Sequence, residues 1–280
     1  MGRKSNISIA GVIVALGVYA FDQFVVNNHD TGKTNYATKE VVSQKDVQYG
    51  QLNDQHPDES LASSVLTPTV TAQLAAKSIR FNQAGAFILD DSKTKLNAKV
   101  SSAPYVQLAD NDSLGRPGVA NALLNNSTRQ YRSRTETGND RTIEPIGWHQ
   151  LMTNGNAGAL YNRGHSIGYA LAGNLQGFDA SEANRQNIST QTAWANQSSN
   201  GNADNTGQNY YETLVRQALD KHETVRYRVT PIYDNKDLVP AGSHIEAKSS
   251  DGKLEFNVFV PNVQPGVVIN YETGYAKVAN

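Results

Sequence analysis

The arrangement of apolar residues divides the chain into three regions. Residues 7–21 are apolar except for Ser8 and two glycines, whereas residues 27–75 are rich in Asn, Asp, Gln, Ser, Thr and Lys and have no sustained apolar period. Compact apolar patches return after residue 75, beginning with residues 84–89. A polar stretch buries too little apolar surface to offset the entropy lost on ordering. We therefore predict a flexible linker over residues 27–75 and one folded domain over residues 76–280.

Apolar periodicity in the C-terminal part predicts one helix followed by antiparallel strands. Between residues 208 and 221 apolar side chains recur at helical spacing, at Tyr211, Leu214, Val215, Ala218 and Leu219. Residues 225–229 and 254–260 instead alternate apolar with polar side chains, as half-buried strands do. An Asp-Gly pair at 251–252 predicts a hairpin just before the second strand. This mixture of elements indicates an α+β fold.

The N-terminal apolar run has the features of an export segment. Arg3 and Lys4 precede the run and Asp22 closes it. Its length suits the apolar core of a signal peptide and is slightly short of the roughly 20 residues that a membrane-spanning helix needs. The basic flank at the extreme N-terminus argues against a buried core helix. We predict that residues 1–26 are a cleaved signal peptide or a retained membrane anchor, with the rest of the chain outside the cytoplasm.

Composition excludes several classes of chemistry. The chain has no cysteine, so disulfides, thiolate metal sites, iron–sulfur clusters and cysteine nucleophiles are ruled out. Its 25 Lys and Arg against 26 Asp and Glu give a net charge of −1, so a nucleic-acid partner must be met by a local patch. Between residues 116 and 163 there are six arginines and no lysine, a choice that suits bidentate contacts with phosphate. The same arginines also fit a solvated surface paired with nearby carboxylates.

The side chains best suited to catalysis are concentrated at residues 161–165, Tyr-Asn-Arg-Gly-His. A glycine between arginine and histidine lets the backbone turn tightly or approach a ligand closely, so that both side chains can meet one anion. A neutral imidazole is a suitable general base near neutral pH. Asn187 and Asn196 follow in a polar segment, and amide oxygens are hard ligands for Mg²⁺ or Ca²⁺. One His, one Asn and one Glu would suffice for metal-assisted hydrolysis of a phosphodiester.

Short motifs in a fixed order carry a resemblance to a known family. They lie at Asp112–Pro117, Gly147–Gln150, Asn162–His165, Gly177–Ala180, Gln191–Gln197 and Gly207–Glu212. From about Phe87 to Asn280 the chain resembles the DNA/RNA non-specific endonucleases of the ββα-metal type, and among them the DNA-entry nucleases and secreted DNases of Gram-positive bacteria. The resemblance implies a central antiparallel sheet flanked by helices. It also implies a ββα finger that holds one Mg²⁺, with Mn²⁺ as a substitute.

By position, the resemblance assigns a role to each candidate site residue. His165 resembles the general base of the family, Asn196 the direct metal ligand, and Glu212 the acid that holds metal-bound water. Arg163 resembles a residue that orients the phosphate or one that supports the finger from below. Asn187 resembles a support of the site.

Two further features of the match are looser. Arg132 and Arg134 fall where the family has basic contacts with its substrate. Asn162 stands where the family motif usually begins with Asp, and it lacks the charge that could orient an arginine or tune the histidine. We expect this exchange to lower activity or to move its pH optimum without abolishing it.

Together these expectations define one function and one alternative. The function is an exported, Mg²⁺-dependent, sugar-non-specific endonuclease that binds DNA and RNA through the phosphate backbone without sequence specificity. The alternative is a catalytically weak nucleic-acid receptor held at the cell surface, which the export segment and Asn162 would also fit. Metal-dependent cleavage separates the two. The sequence leaves the oligomeric state open.

Overall fold

The computed structural model describes residues 47–199 and 201–279. The predicted export segment, residues 1–26, and the first part of the predicted linker, residues 27–46, lie outside the described residues. Among the residues that are described, no helix is long and apolar enough to cross a membrane.

The described residues contain α-helices and β-strands in mixed order, as an α+β fold requires. The helices are α1 (Glu59–Ser63), α2 (Pro68–Leu74), α3 (Tyr169–Ala172), α4 (Ala193–Gln197) and α5 (Gln208–Asp220). The strands are β1 (Ile79–Phe81), β2 (Phe87–Leu89), β3 (Tyr105–Leu108), β4 (Ala120–Leu124), β5 (Tyr161–His165), β6 (Ile188–Thr192), β7 (Val225–Ile232), β8 (Gly242–Ser249), β9 (Glu255–Pro261), β10 (Val267–Ile269) and β11 (Ala276–Val278).

A seven-stranded antiparallel sheet forms the centre of the fold. Its strand order is β1-β2-β9-β8-β7-β4-β3, and every pairing is antiparallel. The alternating segments predicted from the sequence are β7 and β9, and β8 joins β9 through a hairpin at the expected turn. β5 pairs with β6, and β10 pairs with β11, in two separate ribbons. The predicted α+β class with a central antiparallel sheet is confirmed.

Helix α5 packs its apolar stripe on this sheet. Tyr211, Val215 and Leu219 are buried in the main core together with Val225 and Tyr227 of β7. Burying an aliphatic or aromatic side chain of this size stabilises the fold by about 1.5–3 kcal/mol each. The packing therefore fixes the rotation of α5 about its axis, and with it the direction in which the polar face of the helix points.

The described part of the predicted linker is folded, so that prediction is wrong for residues 47–75. Leu61, Val65, Val70 and Leu74 are buried in the main core. The two helices that carry Leu61, Val70 and Leu74 begin at side-chain caps, in which Asp58 and Thr67 accept backbone N–H bonds. Helices of five and seven residues are too short to show an apolar period, which is why the sequence pattern missed them.

Candidate active site

Strands β5 and β6 and helix α4 form a ββα unit. The two strands pair from Tyr161 with Thr192 to His165 with Ile188. α4 follows β6 directly, and the Thr192 hydroxyl caps it by accepting the Ala195 N–H at 3.0 Å. The predicted ββα finger is thus present, with His165 at the end of β5 and Asn196 on α4.

The finger is fixed to the rest of the domain by buried polar contacts. The Asn262 side chain accepts the Thr192 N–H at 2.7 Å and donates to the Thr190 carbonyl at 3.0 Å. The Trp194 indole donates to the Asn205 side chain at 2.9 Å within the core. These bonds hold α4, and therefore Asn196, in a set position.

Gly164 is required for a reason that differs from the sequence interpretation. It lies inside β5 and makes no tight turn. A Cβ at this position would come within 2.1 Å of the Gln191 side-chain oxygen, so the glycine makes room for the buried Gln191 amide. The Arg163 guanidinium bonds to the Ile143 carbonyl and lies 4.9 Å from the centre of the Trp148 ring. These contacts support the structural role of Arg163 more than the phosphate-orienting one.

His165 and Arg134 meet directly. The Arg134 Nη2 lies 3.1 Å from Nε2 of His165, and Nη1 donates to the Ala180 carbonyl at 2.7 Å. A guanidinium has only donors, so Nε2 of His165 must accept and the ring proton must sit on Nδ1. The ring also bonds to the Ala180 carbonyl. Arg134 is further held over the Tyr169 ring at 4.4 Å.

The His165 ring is neutral at physiological pH. Burial and the neighbouring Arg134 charge lower its pKa to about 3, because both disfavour the imidazolium form. Only 9% of the residue is exposed. The histidine therefore stays unprotonated across the whole neutral range, with its Nε2 lone pair accepting from Arg134.

Glu212 is joined to His165 through one side chain. The Gln208 amide nitrogen donates to the Glu212 carboxylate at 3.0 Å and also to the His165 backbone carbonyl. The Gln208 oxygen accepts from Gln191 at 3.1 Å, and Gln191 donates to Ser243 of β8 at 3.1 Å. A buried amide chain thus connects the sheet, the finger and α5.

The Glu212 carboxylate is nearly enclosed. Its side chain is 13% exposed and lies so close to Gly168 that a Cβ there would come within 2.7 Å of it. Burial raises the pKa of Glu212, whereas the Gln208 bond and the charges of Arg216 and Arg134 oppose that rise.

Asn196 is suited to hold a metal ion. Its side chain is half-buried and forms no hydrogen bond with any described residue, so the amide oxygen is available to a ligand. α4 packs against β5, β6 and α5, which brings Asn196 to the elements that carry His165 and Glu212. No group of three His, Asp or Glu side chains that could hold a metal occurs within residues 47–199 and 201–279. One amide oxygen plus ordered water fits the coordination habits of Mg²⁺.

Asn187 and Asn162 lie beside this centre without facing it. The fully buried Asn187 side chain accepts the Ile167 N–H at 2.9 Å and donates to the Ile167 carbonyl at 3.0 Å, which fixes the turn after His165. Asn162 is three residues before His165 on β5, so its side chain lies on the opposite strand face. Its amide nitrogen is buried without a hydrogen-bond partner.

Comparison with known proteins agrees with this geometry. The sequence profile of the DNA/RNA non-specific endonucleases matches residues 83–277. The chain belongs to this family. It is therefore a metal-dependent nuclease that hydrolyses phosphodiester bonds of nucleic acids.

Solved structures give the same answer. NucA from Streptococcus agalactiae with a magnesium ion bound is 44% identical, and the match covers 78% of this chain and 100% of that one with a TM-score of 0.70. NucA from the same organism with no metal bound is 45% identical, with the same coverage and a TM-score of 0.69.

Two residues of this endonuclease centre were missed by sequence reasoning. Gln208 stands four residues before Glu212, so the predicted helix already placed the two on neighbouring turns. Gln191 belongs to a recognised motif but received no role. Arg134 was predicted to contact substrate, whereas its contact with His165, 31 residues away in sequence, could not be foreseen. Arg132 is exposed and forms no salt bridge with a described residue.

Replacing Arg134 with Ala should raise the pKa of His165 above about 3, because the variant removes a positive charge beside the ring. The pKa should remain below 6.5, since burial is the larger cause of the shift and is partly retained. NMR titration of the His165 ring in metal-free protein measures the change. Arg132→Ala is the matched control and should leave the pKa of His165 where it is.

The same shift has a consequence for stability. Below about pH 6.5 His165 is protonated in the unfolded chain, whereas in the folded protein it is protonated only near pH 3. The free energy of unfolding therefore falls as the pH drops through this window. Arg134→Ala should reduce this acid-dependent loss in urea titrations at several pH values. An unchanged His165 pKa in Arg134→Ala would contradict the claim that the Arg134 charge lowers the pKa of this ring.

Proposed function

We propose that the protein is an exported, Mg²⁺-dependent endonuclease that cuts DNA and RNA with His165 as general base. The observation that carries this proposal is the state of the His165 ring. Nε2 holds a lone pair, the ring proton is on Nδ1, and burial beside Arg134 keeps the ring neutral. A group in this state accepts a proton from an attacking water molecule.

His165 can act as the base only when Arg134 no longer occupies its Nε2 lone pair. Its guanidinium donates to the same Nε2 lone pair that must accept the proton from water. A phosphate offers a stronger, charge-assisted acceptor to the guanidinium. We infer that a bound backbone phosphate draws Arg134 away from the ring and thereby frees Nε2 for water. Arg134 would then contact the substrate and, by leaving the ring, make Nε2 of His165 available as the base.

The donor set supports a hard divalent ion. Asn196 would hold Mg²⁺ through its amide oxygen, and Glu212 would hold the water around the ion. When bound, the ion supplies positive charge that stabilises the phosphate oxygens as negative charge develops on them. The magnesium ion in the structure of S. agalactiae NucA supports the choice of metal.

Recognition through the phosphate backbone supports the proposed action on both DNA and RNA. Arg134 at the centre and the exposed Arg132 offer contacts to phosphate, which DNA and RNA share. Such contacts carry no base sequence and do not depend on the 2′-hydroxyl. The receptor alternative has no comparable support, because Asn162 faces away from His165.

Cleavage of plasmid DNA and of an unstructured RNA should require both Mg²⁺ and His165. We expect His165→Ala to lower kcat by at least about 100-fold, since general-base catalysis contributes about 10²–10⁴-fold. Asn196→Ala should raise the Mg²⁺ concentration needed for half-maximal rate. Gel assays with Mg²⁺, Mn²⁺ or EDTA measure both effects.

The control is His222→Asn. His222 is an exposed histidine at the end of α5 with φ of 65°, a conformation that Asn tolerates. This variant should retain full activity. Folded native protein that binds DNA yet leaves it intact with Mg²⁺ would contradict the nuclease proposal and favour the receptor.

Export is proposed from residues 1–26 alone. The basic pair Arg3 and Lys4 before the apolar run at 7–21 supports it. Expression of the full chain in a bacterial host, followed by fractionation and N-terminal sequencing, tests it. A shortened chain in the medium identifies a cleaved signal, and an intact chain in the membrane fraction identifies an anchor. Nuclease confined to the cytosol would overturn the proposal.

A further inference from the structure

We propose that Tyr131 is a stacking platform for an unpaired nucleobase that lies within about three or four nucleotides of the phosphate that is cut. This inference rests on the proposed nuclease function and adds a contact that recognises the base itself, without regard to its identity. It assigns to Tyr131 a role in binding single strands that duplex substrates do not use.

The first observation is that the Tyr131 ring is exposed yet held. The residue is 69% exposed, which is unusual for a large aromatic side chain. Its hydroxyl donates to the Asp220 carboxylate at 2.7 Å, and its ring lies 4.6 Å from the guanidinium carbon of Arg129. One ring face is thus covered by the guanidinium, and the exposure leaves the rest of the ring surface to solvent.

The support beneath the ring is itself rigid. Arg129 is 8% exposed, bonds to Asp220 at 3.0 Å and donates to the Ala170 carbonyl. Asp220 ends helix α5. A ring fixed at both its hydroxyl and one face loses little conformational freedom when a ligand stacks on it, so little of the stacking energy is offset.

The second observation is the position of the ring relative to the catalytic centre. Tyr131 stands three residues before Arg134, whose guanidinium touches His165. Three residues span at most about 10–11 Å. Asp220 stands eight residues after Glu212 on α5, or about 12 Å along the helix axis. Stacked nucleotides of one strand rise by about 3.4 Å each. The first estimate places Tyr131 within about three nucleotides of Arg134. The second places Asp220, which binds the Tyr131 hydroxyl, within about four nucleotides of Glu212.

The residue after Tyr131 adds a further cationic contact. Arg132 is exposed, lies beside Tyr131 and forms no salt bridge with a described residue. Within four residues the chain therefore offers an aromatic ring face at Tyr131, a phosphate contact at Arg132, and Arg134, which contacts His165. Alternating cationic and aromatic contacts along a groove are the usual means of binding single-stranded nucleic acid without sequence preference. A paired base in a duplex keeps its faces stacked on its neighbours and cannot use the ring.

The test compares Tyr131→Ala with Tyr131→Phe on three substrates: a single-stranded DNA oligonucleotide, the same strand with consecutive abasic sites, and the matching duplex. Alanine should raise KM for the single strand by about 5- to 150-fold, from a stacking contribution of about 1–3 kcal/mol per base at 1.4 kcal/mol per tenfold. The kcat should stay unchanged. Phenylalanine should keep most of the affinity, because the ring remains on Arg129.

The abasic strand and the duplex should show no difference between native protein and Tyr131→Ala. Tyr275→Ala is the matched control, since Tyr275 is 63% exposed and stacked on His149 at 3.8 Å but lies outside residues 129–134. Its KM values should equal those of the native protein. A KM increase in Tyr131→Ala that is equal on all three substrates would show that the tyrosine only shapes the loop, and would overturn the proposal. An unchanged KM on the single strand would overturn it as well.

Binding of the same labelled strands in EDTA separates this proposal from the nuclease function. If native protein does not cleave, the proposed function fails, whereas a base-dependent loss of binding in Tyr131→Ala would still support the platform. If native protein cleaves and binding is the same in both proteins, the platform alone fails.

Discussion

The side-chain amide of Gln208 is the interaction on which the catalytic centre depends. It donates to the His165 carbonyl and to the Glu212 carboxylate, and it accepts from Gln191. The proposed general base, His165, and the proposed acid, Glu212, come from different elements, β5 and α5, and this buried amide sets their spacing. Its loss would leave two acceptors and one donor unpaired in a buried place, at roughly 1–3 kcal/mol each. A low-dielectric interior makes such a network rigid when complete and costly when broken.

Helix α5 positions this interaction because one of its faces packs on the sheet and the other points toward the finger. Val215 and Leu219 bind it to the sheet, and the polar face next to that stripe presents Gln208 and Glu212 to the finger. The burial that orders the site also shifts the pKa values of two of its residues. It raises the pKa of Glu212 and lowers that of His165, so the acid is harder to ionise and the histidine is kept neutral. Packing and acid–base chemistry are therefore consequences of one arrangement.

The parts of the fold that the sequence predicted are those with long regular patterns or local motifs. α5 and β7 have enough residues to show their periods, and residues 162–165 and 191–197 identify the finger. Residues 47–75 were misjudged because five- and seven-residue helices show no period and gain their stability from tertiary burial. The reason for Gly164 was also wrong, since the space it leaves is filled by a side chain from the neighbouring strand. Contacts such as Arg134 with His165 depend on how a loop returns to the sheet, which no local pattern encodes.

The most direct measurement of the role of Gln208 is kcat/KM for Gln208→Leu, alone and combined with Glu212→Gln, in protein shown to be folded. Removing the amide should lower kcat/KM by about 10–100-fold, as loss of a supporting partner at a metal site does, and the loss should be much smaller in the Glu212→Gln background. Asn257→Leu is the control, because it removes another buried side-chain amide, which bonds to His244 and the Lys93 carbonyl outside the Gln208 chain, and it should keep kcat/KM close to the native value. Full activity in folded Gln208→Leu, or equal losses in both backgrounds, would contradict the claim that Gln208 holds the base and the acid together.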